Sequence, residues 1–379
     1  MSDNFDTMSN GNPKPAGFWR RISKRSKVIF LKSLLITMSS IVLAVGIGAF
    51  VWTRAISPPA IPTMGQRSLL PVVRLPDIGS GSEDPYEDYE FDIEYTWPAP
   101  ERFTDDDVRD MFWTFLIIGL NEGTNANTVM VASYCGLTRE ANLISIPRDV
   151  PVHPTRRGRK LSSSYIAGSG GGRGREGGIA QVQRDVMNVI GFVPDFHILI
   201  DYDAFFTIID AIGGIDIYVP MRMRYTDPHQ DLNIDFHPGM QHMNSQQALE
   251  FSRFRMANRG YQSITDFQRV ENQQAVINAV ISRMLRPANI LNIPEFVSIF
   301  NESVDTNLTV RNMMWFGLEL NHIRGTDALS TYTFMPTHSS GRPMYYEFLN
   351  ANDVLEIVNR TVNPFYQDIE VRDLNIIRS

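Results

Sequence analysis

Residues 33–52, SLLITMSSIVLAVGIGAFVW, run for twenty positions without a charge. A helix rises about 1.5 Å per residue, so this run is about 30 Å long, the hydrocarbon thickness of a bilayer. No polar face interrupts it, unlike an amphipathic helix of a soluble domain. It is also longer than the roughly 7–15-residue core of a signal peptide, and it lacks an A-x-A-like cleavage site. Arg20, Arg21, Lys24, Arg25, Lys27 and Lys32 precede it, whereas Arg54 alone follows before the chain turns acidic. That bias predicts a cytoplasmic basic tail (1–32), a single transmembrane helix (33–53) and everything later on the outer side of the cell membrane.

Beyond the apolar run the pattern changes twice. Residues 54–103 carry Pro58, Pro59, Pro62, Pro71, Pro76, Pro85, Pro98 and Pro100, which forbid a continuous helix and favour an extended stalk. Acids and aromatics alternate over 83–95, either as a solvated spacer or as a segment that docks through its rings. From 104 onward short β-rich apolar runs recur at 112–119, 128–134, 142–146, 196–200 and 215–219. Apolar spacing near 3.6 predicts helices over 179–190, 203–212, 245–251, 263–285, 294–303, 310–322 and 352–362. Strands alternating with helices and joined by glycine turns such as Gly213-Gly214 predict an α/β domain. The expectation is a layered α-β-α body over 104–365 with a mixed central sheet, closed by a tail at 366–379.

Composition narrows the function classes. The 379 residues carry a formal net charge of -7, which excludes a nucleic-acid binder acting by bulk charge. There is one cysteine, Cys135, so no internal disulfide forms, and its place beside the apolar run 129–134 predicts a buried inert thiol. His229, His237 and His242 lie near Asp227, Asp231 and Asp235, but the spacing matches no familiar metal site and predicts a solvated loop.

The chemistry concentrates in three segments. In FSRFRMANRGYQSITDFQRVENQQ (251–274), Arg253 and Arg255 stand two apart, so an extended backbone would turn both to one face. Asp266, Arg269 and Gln273 stand at i, i+3 and i+7 and share one helix face. Guanidinium groups are planar bidentate donors to phosphate, so this set has the make-up of a pyrophosphate clamp, or otherwise of a solvated charged helix. In LISIPRDV (143–150) an apolar strand delivers Arg148 to its carboxyl end, where α/β folds place ligand groups. Residues 156–178 combine six cations with seven glycines after Ala167 and lack the Walker ending, which predicts either a mobile basic flap or a solvated insertion.

Taken in order, these segments resemble the LytR–CpsA–Psr family of cell-wall glycopolymer transferases. The likeness rests on Ser145-Ile146-Pro147-Arg148-Asp149, on Lys160 and Tyr165 in KLSSSY, and on Ile200-Asp201 with IIDAIGGIDIYVP (208–220). It continues through Phe251, Arg253 and Arg255 to the helix bearing Asp266, Phe267, Arg269, Gln273 and Gln274. The resemblance implies a membrane-anchored phosphotransferase that moves a glycopolymer from a polyprenyl-pyrophosphate carrier to peptidoglycan. A sugar hydroxyl would attack the proximal phosphate and polyprenyl phosphate would leave. It assigns Arg253, Arg255, Asp266 and Arg269 to catalysis and Arg148, Lys160 and Gln273 to the pyrophosphate. Asp266 would orient an arginine or act as base, and an apolar pocket would take the lipid tail.

The same resemblance exposes a departure. The family carries two aspartates as Mg²⁺ ligands where this chain has Asn121 and Asn127, and an arginine where it has Asn125. Glu122 remains as a carboxylate beside them. Amide oxygens hold Mg²⁺ far more weakly than carboxylates. The alternative expectation is therefore a degenerate, non-catalytic module that binds lipid-linked precursors at the membrane.

Overall fold

The computed structural model describes residues 58–63 and 103–377, except 122–123, 154–158, 171, 230–231, 285, 287–291, 320–328 and 341–344, together with Lys32, Met38, Ser39, Val42 and Leu43. The chain divides into units 1–57 and 58–379. Residues 33–53, expected to span the bilayer, lie outside the described residues save for those last four, which are helical. Among the described residues no helix is long and apolar enough to cross a membrane.

The central sheet has six strands in the order β10-β3-β2-β1-β4-β9. β1 (Phe112–Asn121), β2 (Asn125–Cys135) and β3 (Glu140–Ile146) form an antiparallel meander. β4 (Phe196–Ile200) and β10 (Leu329–Thr333) join it in parallel, while β9 (Asp305–Thr306) pairs antiparallel at the far edge, so the sheet is mixed as expected. Side chains alternate across it. Leu116, Ile118, Leu120, Val129, Val131, Ile144 and Ile146 enter the main core. That core also takes Val182, Val186 and Ile190 of α2 (Gly174–Ile190) and Val354 and Val358 of α8 (Ala351–Thr361). The other face of the sheet bears Phe115, Ile117, Ala132, Leu143, Ile198 and Ile200. It is covered by α3 (Tyr202–Ala211), α5 (Asp266–Met284), α6 (Ile293–Ser303) and α7 (Val310–Glu319), which leave space beneath them. Apolar residues on both faces explain why the strands read as continuous apolar runs.

A second core lies around two antiparallel pairs, β5 (Ile215–Val219) with β8 (Gly239–Met243), and the intervening hairpin of β6 (Met223–Asp227) with β7 (Leu232–Phe236). Ile215, Ile217, Met223, Ile234, Phe236 and Met243 pack there against α4 (Ser245–Arg253) and α5. Gly213 and Gly214 hold φ of 71° and 79° in the turn before β5, a conformation costly for any side chain.

Three expectations need correction. The glycine-rich stretch is no mobile flap over its described part. α1 (Ser164–Ser169) lies directly on α2, and a Cβ on Gly168 would stand 2.3 Å from the Gly177 carbonyl oxygen. The glycines serve close helix contact, and residues 154–158 lie outside the described set. The tail expected at 366–379 is packed down to 377: Ile369 and Leu374 belong to the main core, and Asn375 N–H donates to Asn188. Of the stalk expected at 54–103, Pro59 is buried, Ile61 packs against the main core, and the Phe103 ring stacks on Phe365 at 4.0 Å. The acidic aromatic stretch 83–95 lies outside the described residues. Cys135 is buried and free.

Candidate functional site

Arg148 leaves the carboxyl end of β3 after Pro147, and its carbonyl accepts from Ser162 N–H at 2.9 Å. That pairing of strand end and return segment brings Lys160 opposite Asp149, with Nζ 2.6 Å from Oδ1. Asp149 Oδ2 faces Arg148 Nε at 3.8 Å, and Arg148 Nη2 faces Asp266 Oδ1 at 3.9 Å. Asp266 opens α5. Its carboxylate meets Arg269 Nη2 at 3.0 Å, one turn along the helix, and Arg255 Nε at 3.7 Å. Residues remote in the chain thus form one alternating run of charge, Lys160–Asp149–Arg148–Asp266–Arg269, with Arg255 attached at Asp266.

Arg253 and Arg255 do not share an extended segment. Arg253 closes α4, and Phe254 then turns extended (φ -56°, ψ 125°) because its buried ring anchors in the second core. A helix end followed by one extended residue still sends both guanidinium groups to the same cavity, of about 380 Å³. Arg148, Arg269, Gln273, Asn121 and Asn127 line it too. Lys160 does not; it acts on the cavity through Asp149, with the Tyr345 and Tyr346 rings each 5.9 Å from Nζ. Gln274 points the opposite way from Gln273 and donates to Ser145 Oγ, the Tyr332 carbonyl and Thr333 Oγ1, tying α5 to the sheet.

Burial pushes the Arg269 guanidinium down from its ordinary range, the neighbouring Arg148 and Arg255 push it the same way, and Asp266 opposes them. Glu347, 3% exposed on the short strand Glu347–Phe348, has its carboxyl pushed up chiefly by burial, with Asp149 and Asp266 adding to the effect. Glu347 escaped the sequence reading because nothing local distinguishes it. Tyr202 was also missed. It opens α3, immediately after the carboxyl end of β4, and its hydroxyl donates to Asn121 Oδ1 at 3.3 Å while its ring lies 5.7 Å from the Arg253 guanidinium. Its place at a parallel strand's carboxyl end was the available signal.

The polar cavity shares the walls Ile117, Ile200, Phe205, Val276 and Ile277 with a second one of about 400 Å³. This second cavity runs between the sheet and α3, α5, α6 and α7 and is almost entirely apolar. At its border the buried Tyr134 hydroxyl donates to Glu319 at 2.7 Å. A charged cavity sharing a wall with a greasy one suits an amphiphile with an anionic head.

The donor set fits Mg²⁺ poorly. Asn121 and Asn127 supply neutral amides, and the Asn121 oxygen already accepts from Tyr202. Asp201, the carboxylate among the described lining residues, caps Ala204 N–H with Oδ1 and binds Arg175 with Oδ2. Glu122 lies outside the described residues. Elsewhere His242 pairs with Asp216, and among the described residues no cluster of three His, Cys, Asp or Glu could hold a metal.

The family model described as the LytR_cpsA_psr family matches residues 104–363. The chain belongs to this family. Among its members, the polyisoprenyl-teichoic acid–peptidoglycan teichoic acid transferase TagV of Bacillus subtilis is 28% identical over 204 residues, covering 52% of the chain and 48% of TagV. The regulatory protein MsrR of Staphylococcus aureus is 23% identical over 246 residues, 63% of the chain and 67% of MsrR. The match thus spans about half the length of the first of these relatives. Among solved structures, B. subtilis TagV superposes with a TM-score of 0.54 at 23% identity, over 66% of the chain and 96% of TagV. TagT bound to LIIa-WTA gives 0.51 at 14% identity, over 66% and 89%. These likenesses show a shared fold.

Proposed function

We propose that this chain is a phosphotransferase that moves a glycopolymer from a polyprenyl-pyrophosphate carrier to peptidoglycan on the outer face of the cell membrane. The observation that carries this reading is that the arginine-lined cavity and the apolar one lie side by side and share a wall. The first would take the diphosphate and the second the prenyl tail. The names of TagV and of its B. subtilis relative TagU, both teichoic acid transferases to peptidoglycan, support the reaction class. The uncharged run 33–52 would be the anchor, with the N-terminus in the cytoplasm.

In this reading an acceptor sugar hydroxyl attacks the sugar-bearing phosphorus. A new P–O bond forms, the bridging P–O–P bond breaks, and polyprenyl phosphate leaves with the bridging oxygen, the hydroxyl's proton passing to that leaving phosphate. Arg148, Arg253, Arg255 and Arg269 stabilise the negative charge that spreads over the phosphoryl oxygens, and Gln273 adds a neutral donor. Asp266 faces three guanidinium groups. That geometry favours orienting the arginines over taking the acceptor's proton. Lys160 holds Asp149, and through it Arg148, in place.

The deciding experiment offers a labelled lipid-linked glycan and peptidoglycan fragments to the full-length chain. Labelled peptidoglycan with release of polyprenyl phosphate is the expected result, and no transfer with or without divalent ions would reject it. A second reading, a module that binds the lipid-linked precursor without turnover, is favoured by Asn121 and Asn127. It predicts saturable binding with no product.

A further inference from the structure

We infer that the polar cavity grips its diphosphate without any divalent cation, with arginines as the sole counter-charge and Tyr202 holding the floor where a metal would otherwise sit. The inference rests on the reading that this cavity takes a polyprenyl pyrophosphate.

Charge supplies the first argument. Two aspartates and one Mg²⁺ sum to zero, and so do two asparagines. Asn121 and Asn127 therefore leave the field of the four arginines unchanged, whereas two carboxylates stripped of metal would repel a diphosphate in the same cavity. The second argument is occupancy of the donor atoms. Mg²⁺ demands near-octahedral oxygens and strongly prefers anionic ones. Asn121 Oδ1 already accepts from the Tyr202 hydroxyl, and the Asp201 oxygens accept from Ala204 N–H and Arg175, so a cation would compete with a partner at each of them.

Tyr202 then has a defined task as a positioning residue. Its hydroxyl fixes the Asn121 amide, and its ring faces the Arg253 guanidinium at 5.7 Å. One side chain thus ties the end of β1 to the end of α4 across the cavity. That tie holds the Asn121 amide and the Arg253 guanidinium in one arrangement with no cation needed.

The test measures binding of geranylgeranyl pyrophosphate to the full-length chain in detergent, in EDTA and in millimolar Mg²⁺. Mg²⁺ complexes the diphosphate in solution and competes with the arginines, so the affinity in EDTA should equal or exceed that in Mg²⁺. Binding that weakens about tenfold or more in EDTA would overturn the inference while leaving the site reading intact. If Glu122→Gln abolished that dependence, Glu122 would be the missing ligand. No binding under either condition would overturn the site reading itself. The double variant N121D/N127D should bind at least about tenfold more weakly in EDTA and recover in Mg²⁺. Electron paramagnetic resonance should find Mn²⁺ retained by that variant and not by the natural chain. Mn²⁺ held by the natural chain, or equal binding of the double variant in EDTA, would overturn the inference. Tyr202→Phe keeps the ring beside Arg253 and frees the Asn121 amide. It should weaken binding several-fold without introducing metal dependence, and an unchanged affinity would remove Tyr202 from the account.

Discussion

Arg269 Nη2 lies 3.0 Å from Asp266 Oδ1, one turn apart at the start of α5, and the two side chains are only 10% and 18% exposed. The pair is the hinge of the site's electrostatics. A buried guanidinium beside two others would repel them, and the carboxylate at the centre is what lets Arg148, Arg255 and Arg269 converge. An anionic headgroup entering the cavity would take over part of that task, so the empty and loaded sites differ in what neutralises the arginines.

Asp266→Asn separates these contributions. Removing one partner of a buried pair costs about 3 kcal/mol, which urea unfolding would register. Because the arginines then lack their carboxylate, added inorganic pyrophosphate should raise the melting temperature of the variant more than that of the natural chain. Equal shifts in the two proteins would mean that the anion does not reach these arginines.

Glu347 gives a pH dependence with a definite sign. Its folded carboxyl titrates above its ordinary value of 4.5, chiefly because it is buried. The folded state therefore holds that proton more tightly than the unfolded chain does. This contribution to stability is full below the unfolded value and is lost as pH rises through the folded one. Glu347→Gln, which cannot ionise, should keep more of its stability across that window. Melting temperatures between about pH 4 and 8 should diverge as pH rises, and parallel profiles would contradict the burial argument.

Much of this was legible in the chain and some was not, for reasons tied to particular residues. Arg148 at a strand's carboxyl end and the i, i+3 spacing of Asp266 and Arg269 are local facts, and local spacing exposes them. Four strand segments were legible as apolar runs, because the central sheet buries both faces. The helical state of Arg253 was hidden, since its cause is the Phe254 ring seating in a core built from strands distant in the chain. Lys160 was assigned to the pyrophosphate by resemblance, which does not reveal that Asp149 is its ion-pair partner. The glycines of 168–178 suggested mobility, since only a neighbouring helix distinguishes a flexible glycine from one required for close contact.

That last distinction can be measured. A Cβ at Gly168 would meet the Gly177 carbonyl oxygen at 2.3 Å and Gln181 Cβ at 2.4 Å, so α1 must lift from α2. Gly168→Ala should destabilise by about 1–3 kcal/mol, the usual cost of overpacking. Gly170→Ala, whose nearest neighbour would be 3.9 Å away, should be close to neutral. Two neutral variants would restore the picture of a loose glycine-rich loop.

The apolar cavity carries the most discriminating prediction. An unfilled apolar space of about 400 Å³ deprives its walls of packing contacts, which costs stability unless something occupies it. A prenyl tail would supply up to about 0.8 kcal/mol per buried methylene. Affinity should therefore rise from inorganic pyrophosphate through farnesyl to geranylgeranyl pyrophosphate and level off once the space is full. Ala132 faces the cavity from β2, so Ala132→Phe places a ring inside it without touching the arginines. The variant should lose the dependence on tail length, bind inorganic pyrophosphate as the natural chain does, and melt no lower, since the ring fills what was open. A length dependence that survives the substitution would mean the tail lies elsewhere, and the shared wall of the two cavities would then have no bearing on the substrate.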